Sequence, residues 1–279
     1  METMVEGKIE KNKNYIIDIN DVTHEAQGVG RIDGLAVFVD GALEGERVEV
    51  KIIKLTKSYG VGKLISILRP SPHRIEPFCE AYKRCGGCNL QHLDYKAQLD
   101  FKTGLVRDNL KRIGGLTDID VYDTIGMKYP YRYRNKAQYP VAMVDGKAVT
   151  GFYAPRSHDV IQSDECEIQD AHSDNIRKIV SEFMDEYKIS AYDEKTGKGL
   201  VRHIVTRVGY NTGEIMVMLV INGTRLPGGD ELVRRLVDRN RGTHETDRNQ
   251  EDAGACEGSG AADVAARTDE GRGDVDNVG

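Results

Sequence analysis

The 279-residue sequence predicts an α+β protein in three parts: a small OB-like β-barrel over residues 7–70, a mixed α/β domain over 71–240, and a disordered acidic tail over 241–279. Three observations predict it. Short β-branched runs separated by Gly, Asp and Asn crowd into residues 15–68, as in a barrel of short strands. Beyond them, apolar residues recur at helical spacing in some segments and at strand spacing in others. From 241 onward there is no Ile, Leu, Met, Phe or Tyr, so that stretch cannot offset the entropy of ordering.

Strands are expected at 15–19, 35–39, 47–53 and 63–68. Gly28, Gly30 and Gly34 read as turn positions that need a positive φ, and Gly41 and Gly45 open a second turn. Arg31, Lys51 and Lys54 place cations on the barrel; such a face is ordinarily just solvated, but on an OB-like barrel it also suits a nucleic-acid backbone. Pro70 and Pro72 end the ladder. Tyr95, Leu99, Val106, Leu110 and Ile113 predict a helix over 94–113 that Gly114-Gly115 stops, within a helical segment extending to 125. Ile176, Ile179, Val180 and Phe183 predict a second helix. Residues 200–208 and 214–221 read as a hairpin around Asn211-Thr212-Gly213, and a helix begins at Asp230.

The net charge of −6 is misleading as a whole. Residues 241–279 hold 10 acidic and 4 basic residues, which accounts for all of it and leaves 1–240 neutral. Local basic surface therefore decides what the body binds. No stretch is apolar and long enough to span a bilayer, so a cytoplasmic monomer with no membrane partner is expected, with its thiols reduced.

Chemistry concentrates in Cys79-Glu80-Ala81-Tyr82-Lys83-Arg84-Cys85-Gly86-Gly87-Cys88, which holds three of the five cysteines, with Cys166 a distant fourth. Gly86 and Gly87 suggest a tight turn that aims Cys85 and Cys88 at one centre. A structural zinc site takes four thiolates, usually as two short-spaced pairs; an iron-sulfur cluster takes a tight run completed by one remote cysteine. Three plus one favours the cluster and leaves zinc open. Cys256 falls in the tail and His158 is not needed as a ligand.

A second constellation spans 129–141, where Tyr129, Tyr131, Tyr133 and Tyr139 interleave with Arg132, Arg134 and Lys136. At strand periodicity the rings would share one face and the cations the other. The ordinary reading is packed tyrosines and solvated arginines. The functional one has Arg132, Arg134 and Lys136 on phosphates while Asn135 or Gln138 reads a polar base edge.

The run from Gly28 to Val50 resembles a TRAM domain, an RNA-binding barrel of several RNA-modifying enzymes. Together with Cys79, Cys85, Cys88, Cys166, the Tyr133-Arg134-Asn135-Lys136 run and the 200–222 hairpin, the chain resembles the RNA uracil-5 methyltransferases, in particular the bacterial 23S ribosomal RNA type, from residue 7 to about 240. The resemblance implies that the four cysteines hold a [4Fe-4S] cluster, that RNA is the partner, ribosomal rather than transfer RNA, and that S-adenosylmethionine is the methyl donor. It further implies a doubly wound catalytic domain that supplies the methyl-donor site, a cysteine that adds to uracil C6 and a carboxylate base that deprotonates C5. Nothing after residue 240 matches such a domain, so the 94–125 segment is expected to pack on a domain missing from this chain. The competing expectation is a stand-alone iron-sulfur RNA-binding protein without transferase activity.

Overall fold

The computed structural model describes residues 9–240; the expected tail and Cys256 lie outside them. Five strands, β1 (Asn14–Val22), β2 (Gln27–Ile32), β3 (Leu35–Asp40), β4 (Arg47–Leu55) and β5 (Tyr59–Arg69), close a barrel in the order β1-β2-β3-β5-β4. Neighbours are antiparallel except β3 and β5. Alternation sends Ile17, Ile19, Val37, Val39, Val48, Val50 and Ile52 into the core, and their cross-strand neighbours outward.

The sequence reading found four of these strands and took β2 for turns. Gly28 and Gly30 lie inside β2, buried, and neither has a positive φ; of the first three glycines only Gly34 does, at 83°. Their role is steric. A Cβ on Gly30 would stand 2.8 Å from the Asp18 carbonyl oxygen and 2.9 Å from Ile17 Cδ1, and one on Gly28 would stand 2.8 Å from the Ala42 carbonyl oxygen. Gly30→Ala is therefore expected to cost about 1–3 kcal/mol in urea unfolding through overpacking. Gly104→Ala, inside a helix with open space around it, is expected to gain about 0.5–1 kcal/mol. Equal midpoints for the two variants would refute the steric reading.

A link of turns, 70–94, leads from the barrel to α1 (Tyr95–Arg112). Asp94 caps α1, its Oδ1 accepting from Ala97 N at 2.8 Å, and the stop at Gly114-Gly115 falls where expected, with Gly115 at φ 66°. The helical segment does not run on to 125: residues 113–127 return along α1 without regular structure, held by Thr103 with Thr124 and by Met127 N–H to Tyr95 Oη at 2.8 Å.

The second sheet is antiparallel, in the order β10-β9-β6-β7-β8, from β6 (Lys136–Val144), β7 (Lys147–Tyr153), β8 (Val160–Gln162), β9 (Val201–Val208) and β10 (Ile215–Ile221). One face is covered by α2 (Ala171–Glu186) and α3 (Gly229–Asn240): Ile176, Ile179, Phe183 and Leu232 pack on Tyr139, Val141, Val201 and Ile204. The opposite face carries Lys136, Gln138, Arg207, Met216 and Met218, all exposed. Among the described residues no helix is long and apolar enough to cross a membrane.

Candidate cysteine centre and nucleic-acid interface

Cys79, Cys85, Cys88 and Cys166 all line one cavity of about 30 Å³, although 78 residues separate the third from the fourth. All four are free and half-buried. Consecutive turns shape the first three, with Tyr82 N–H on Cys79 O and Cys85 N–H on Ala81 O. The two glycines matter here for space, since neither has a positive φ. Gly86 N–H donates to the Tyr153 carbonyl oxygen at 3.1 Å, where a Cβ would come within 3.0 Å of the same atom. Gly87 N–H points at Cys85 Sγ, 3.4 Å away.

The fourth cysteine is placed by a charge network that sequence reading missed. Asp174, in the first turn of α2, accepts from Cys166 N at 3.2 Å, Arg132 Nη1 at 2.8 Å and Arg177 Nε at 3.1 Å. Arg132 Nη1 also donates to the Cys166 carbonyl oxygen at 3.1 Å, and Glu165 and Glu167 lie 3.6 and 3.5 Å from its Nη2. The residue expected to meet RNA phosphate is thus occupied by three carboxylates and serves the Cys166 loop. A φ of 53° at Arg132 also breaks the strand period, so rings and cations do not separate onto two faces: Tyr131 and Tyr133 stay exposed before β6 while Tyr139 enters the core.

Burial pushes the Cys85, Cys88 and Cys166 thiols up. Neighbouring thiolate charge adds to this: Cys79 acts on Cys85, Cys85 and Cys79 on Cys88, and Cys88 on Cys166, while Arg134 pulls Cys88 down. Three thiols held up in this way, beside a fourth on the same cavity, are what a cationic centre stabilises, releasing protons as it binds. Among the described residues no group of three or more His, Cys, Asp or Glu is arranged to hold a metal ion. A tetrahedral zinc with bonds of about 2.3 Å needs its sulfurs drawn in close. Three clustered cysteines completed by one remote cysteine are also the ligand pattern an iron-sulfur cluster takes. Gln169, 1% exposed, also lines the cavity, its Oε1 without a hydrogen-bond partner. Four thiols on one cavity are a donor set that suits a thiophilic centre, zinc or iron-sulfur.

Below this segment the Tyr82 hydroxyl bonds Asn89 O at 2.7 Å and His92 Nδ1 at 2.6 Å. Burial and the Cys88 charge push Tyr82 up to about 12, and burial beside Arg74 pushes His92 down to about 4.

The remaining sequence-derived candidates divide into two groups. Arg134, Asn135, Lys136 and Gln138 are exposed where the chain enters β6, with Arg134 on the cysteine cavity and Lys136 paired in register with Arg207. Arg31, Lys51 and Lys54 are exposed on the barrel, Arg31 bonding the Gly34 carbonyl oxygen at 2.9 Å.

The TRAM domain family matches residues 8–65, the barrel. The chain is 46% identical over 230 residues to a Clostridium tetani protein named an uncharacterized RNA methyltransferase, covering 82% of this chain and 50% of that one. It is 46% identical over 233 residues to one from Caldanaerobacter subterraneus subsp. tengcongensis (84% and 51% covered) and 45% identical over 231 to one from Listeria monocytogenes (83% and 51%). The chain spans about half the length of the curated relatives it matches. Among solved structures it is similar to the Pyrococcus abyssi tRNA (uracil-54, C5)-methyltransferase in complex with S-adenosyl-L-homocysteine. The TM-score is 0.57 at 27% identity, covering 77% of this chain and 48% of that one.

Proposed function

We propose that this chain is the RNA-binding, cluster-carrying portion of an S-adenosylmethionine-dependent RNA uracil-5 methyltransferase acting on 23S ribosomal RNA. The observation that carries the proposal is the convergence of Cys79, Cys85, Cys88 and Cys166 on one cavity beside Arg134, in a chain aligned along most of its length with RNA methyltransferases. Those four side chains would hold a [4Fe-4S] cluster, which when bound ties the 79–88 turns to the Cys166 loop. Asp174 and Arg132 orient Cys166, Gly87 N–H turns toward Cys85 sulfur, and Arg134, Asn135, Lys136 and Gln138 hold the RNA nearby.

No described residue is assigned the nucleophile, the base or the methyl-donor site. S-adenosylmethionine, when bound, supplies the methyl group at a site of the doubly wound domain expected in such enzymes. Support for such a domain comes from α1 and its return. Thr103 is the one buried residue of α1, while Val106, Ile113, Leu116, Ile119, Tyr122 and Ile125 stand 46–95% exposed, an apolar surface of the kind that covers itself with a partner.

The test is the intact mass and activity of the native protein. A mass well above 31.0 kDa, with S-adenosylmethionine-dependent tritium release from 23S RNA carrying [5-³H]uridine, is expected. Release from transfer RNA only would move the substrate. A native 31.0 kDa protein that binds RNA and releases no tritium would replace the proposal with a stand-alone RNA-binding protein.

A further inference from the structure

We propose that the barrel takes a single strand of RNA across the outer face of β4 and β5, with one unstacked base in the pocket walled by Phe38 and Tyr59 and the adjoining phosphates on Lys51 and Lys63. This rests on the RNA-binding reading above and names the surface and the strandedness of the ligand.

The pocket has a volume of about 630 Å³, ample for a nucleobase. Phe38 and Tyr59 meet edge to face at 5.7 Å, and Lys54 Nζ lies 5.7 Å from the Tyr59 centroid. Arg156 enters the same pocket from the turn after β7, at a φ of 59° that an arginine adopts under strain. Arg156 also reaches Asp40 at 3.4 Å, and Glu25, which lines the pocket, lies 3.9 Å from His24.

Outside the pocket the ladder sets Lys51 directly opposite Lys63. Like charges in that position repel, and neither lysine has an ion pair among the described residues. Adjoining phosphates, one on each lysine, turn a repulsive pair into a site. Ile53, 42% exposed, and Ile65, 46% exposed, flank the lysines and give sugar and base an apolar floor leading to the pocket, which Ile53 also lines. Such a path reads a ring face and a backbone together, and only an unpaired base exposes both.

The test uses the 279-residue chain and three labelled 12-nucleotide RNAs: a single strand, the same strand with one abasic position, and the strand annealed to its complement. The intact single strand is expected to bind tightest. K51A/K63A is expected to flatten the slope of log affinity against log salt by about 1.4, at about 0.7 per phosphate for single strands. Tyr59→Leu is expected to weaken the intact strand about tenfold and to abolish its advantage over the abasic one. Arg156→Gly is expected to weaken binding without lowering the melting temperature, because glycine accepts the positive φ. Should Tyr59→Leu fail to fold, the two exposed lysines carry the test alone. Wild-type binding with an unchanged slope in K51A/K63A would overturn this surface while leaving the RNA reading intact; no binding of any RNA by the wild-type chain would overturn both.

Discussion

Cys88→Ser is expected to strip the protein of its iron and to unfold the segment around residues 79–92 while leaving the barrel in place. Anaerobically purified wild-type protein should carry about four irons and four sulfides per chain, and the variant less than about one. The reason is geometric as well as chemical. The 79–88 turns face the Cys166 loop across a small cavity, so bonds through a shared centre would be the main tie between them. Serine offers a hard, poorly ionised hydroxyl in place of a soft thiolate. Amide exchange separates this from a general loss of stability: protection should fall at 79–92 and 163–169 and persist in β1–β5, whose core contains none of these residues. Asp174→Ala, which removes the group that holds Cys166, Arg132 and Arg177, should weaken iron retention about 10- to 100-fold with all four thiols present. One zinc and no sulfide in wild-type protein would exchange the cluster for a structural zinc site. No metal, with unchanged exchange in Cys88→Ser, would remove the centre altogether.

The cysteine quartet was legible as a set because thiol spacing is written along the chain, and glycines near it announce a turn. Its positioning was not. Arg132 and Asp174 are 42 residues apart, and each looks like an ordinary surface charge until the fold sets them 2.8 Å from each other. The same distinction runs through the barrel. β1, β3, β4 and β5 declare themselves by β-branched alternation, whereas β2 places glycine at the inward positions Gly28 and Gly30, which removes the apolar signal that marks a strand. A glycine that relieves crowding and one that supplies a positive φ are identical as letters. The helices were legible for the opposite reason: α2 repeats its apolar side chains over four turns and keeps that signal through Ile176, Ile179, Val180 and Phe183, all buried. In α1 the same periodicity was present but did not mean a core, since Tyr95, Leu99 and Leu110 are only half-buried and Val106 is exposed.

Glu46→Gln is expected to cost about 3–5 kcal/mol, the range for breaking a buried ion pair by removing one partner. Glu46 is wholly buried at the base of the barrel. Its carboxylate accepts from Arg74 Nε at 2.6 Å and Nη2 at 2.8 Å, from Leu43 N at 2.9 Å and from Ser71 N at 3.2 Å. Arg74 Nη2 also holds the Gly41 carbonyl oxygen at 2.7 Å, so one pair locks the 41–46 turn to the link that begins the cysteine segment. Burial alone would push the Glu46 carboxyl up, but the bonds from Arg74, Leu43 and Ser71 outweigh it and hold it below the ordinary 4.5. A depressed carboxyl contributes stability that is present in full above its unfolded pKa and is lost as pH falls through the folded one. His92 adds an earlier step of the same sign: held neutral down to about 4, it stabilises the fold above its ordinary 6.5 and loses that contribution as pH falls from 6.5 toward 4. Wild-type stability should thus decline in two stages on acidification. Glu46→Gln should lower the whole curve and abolish only the lower stage, whereas His92→Gln should abolish the upper one. Urea midpoints measured from pH 8 to pH 3 check this, and a Glu46→Gln curve parallel to wild type below pH 4.5 would show that the carboxylate's charge contributes nothing to holding the barrel to the cysteine segment.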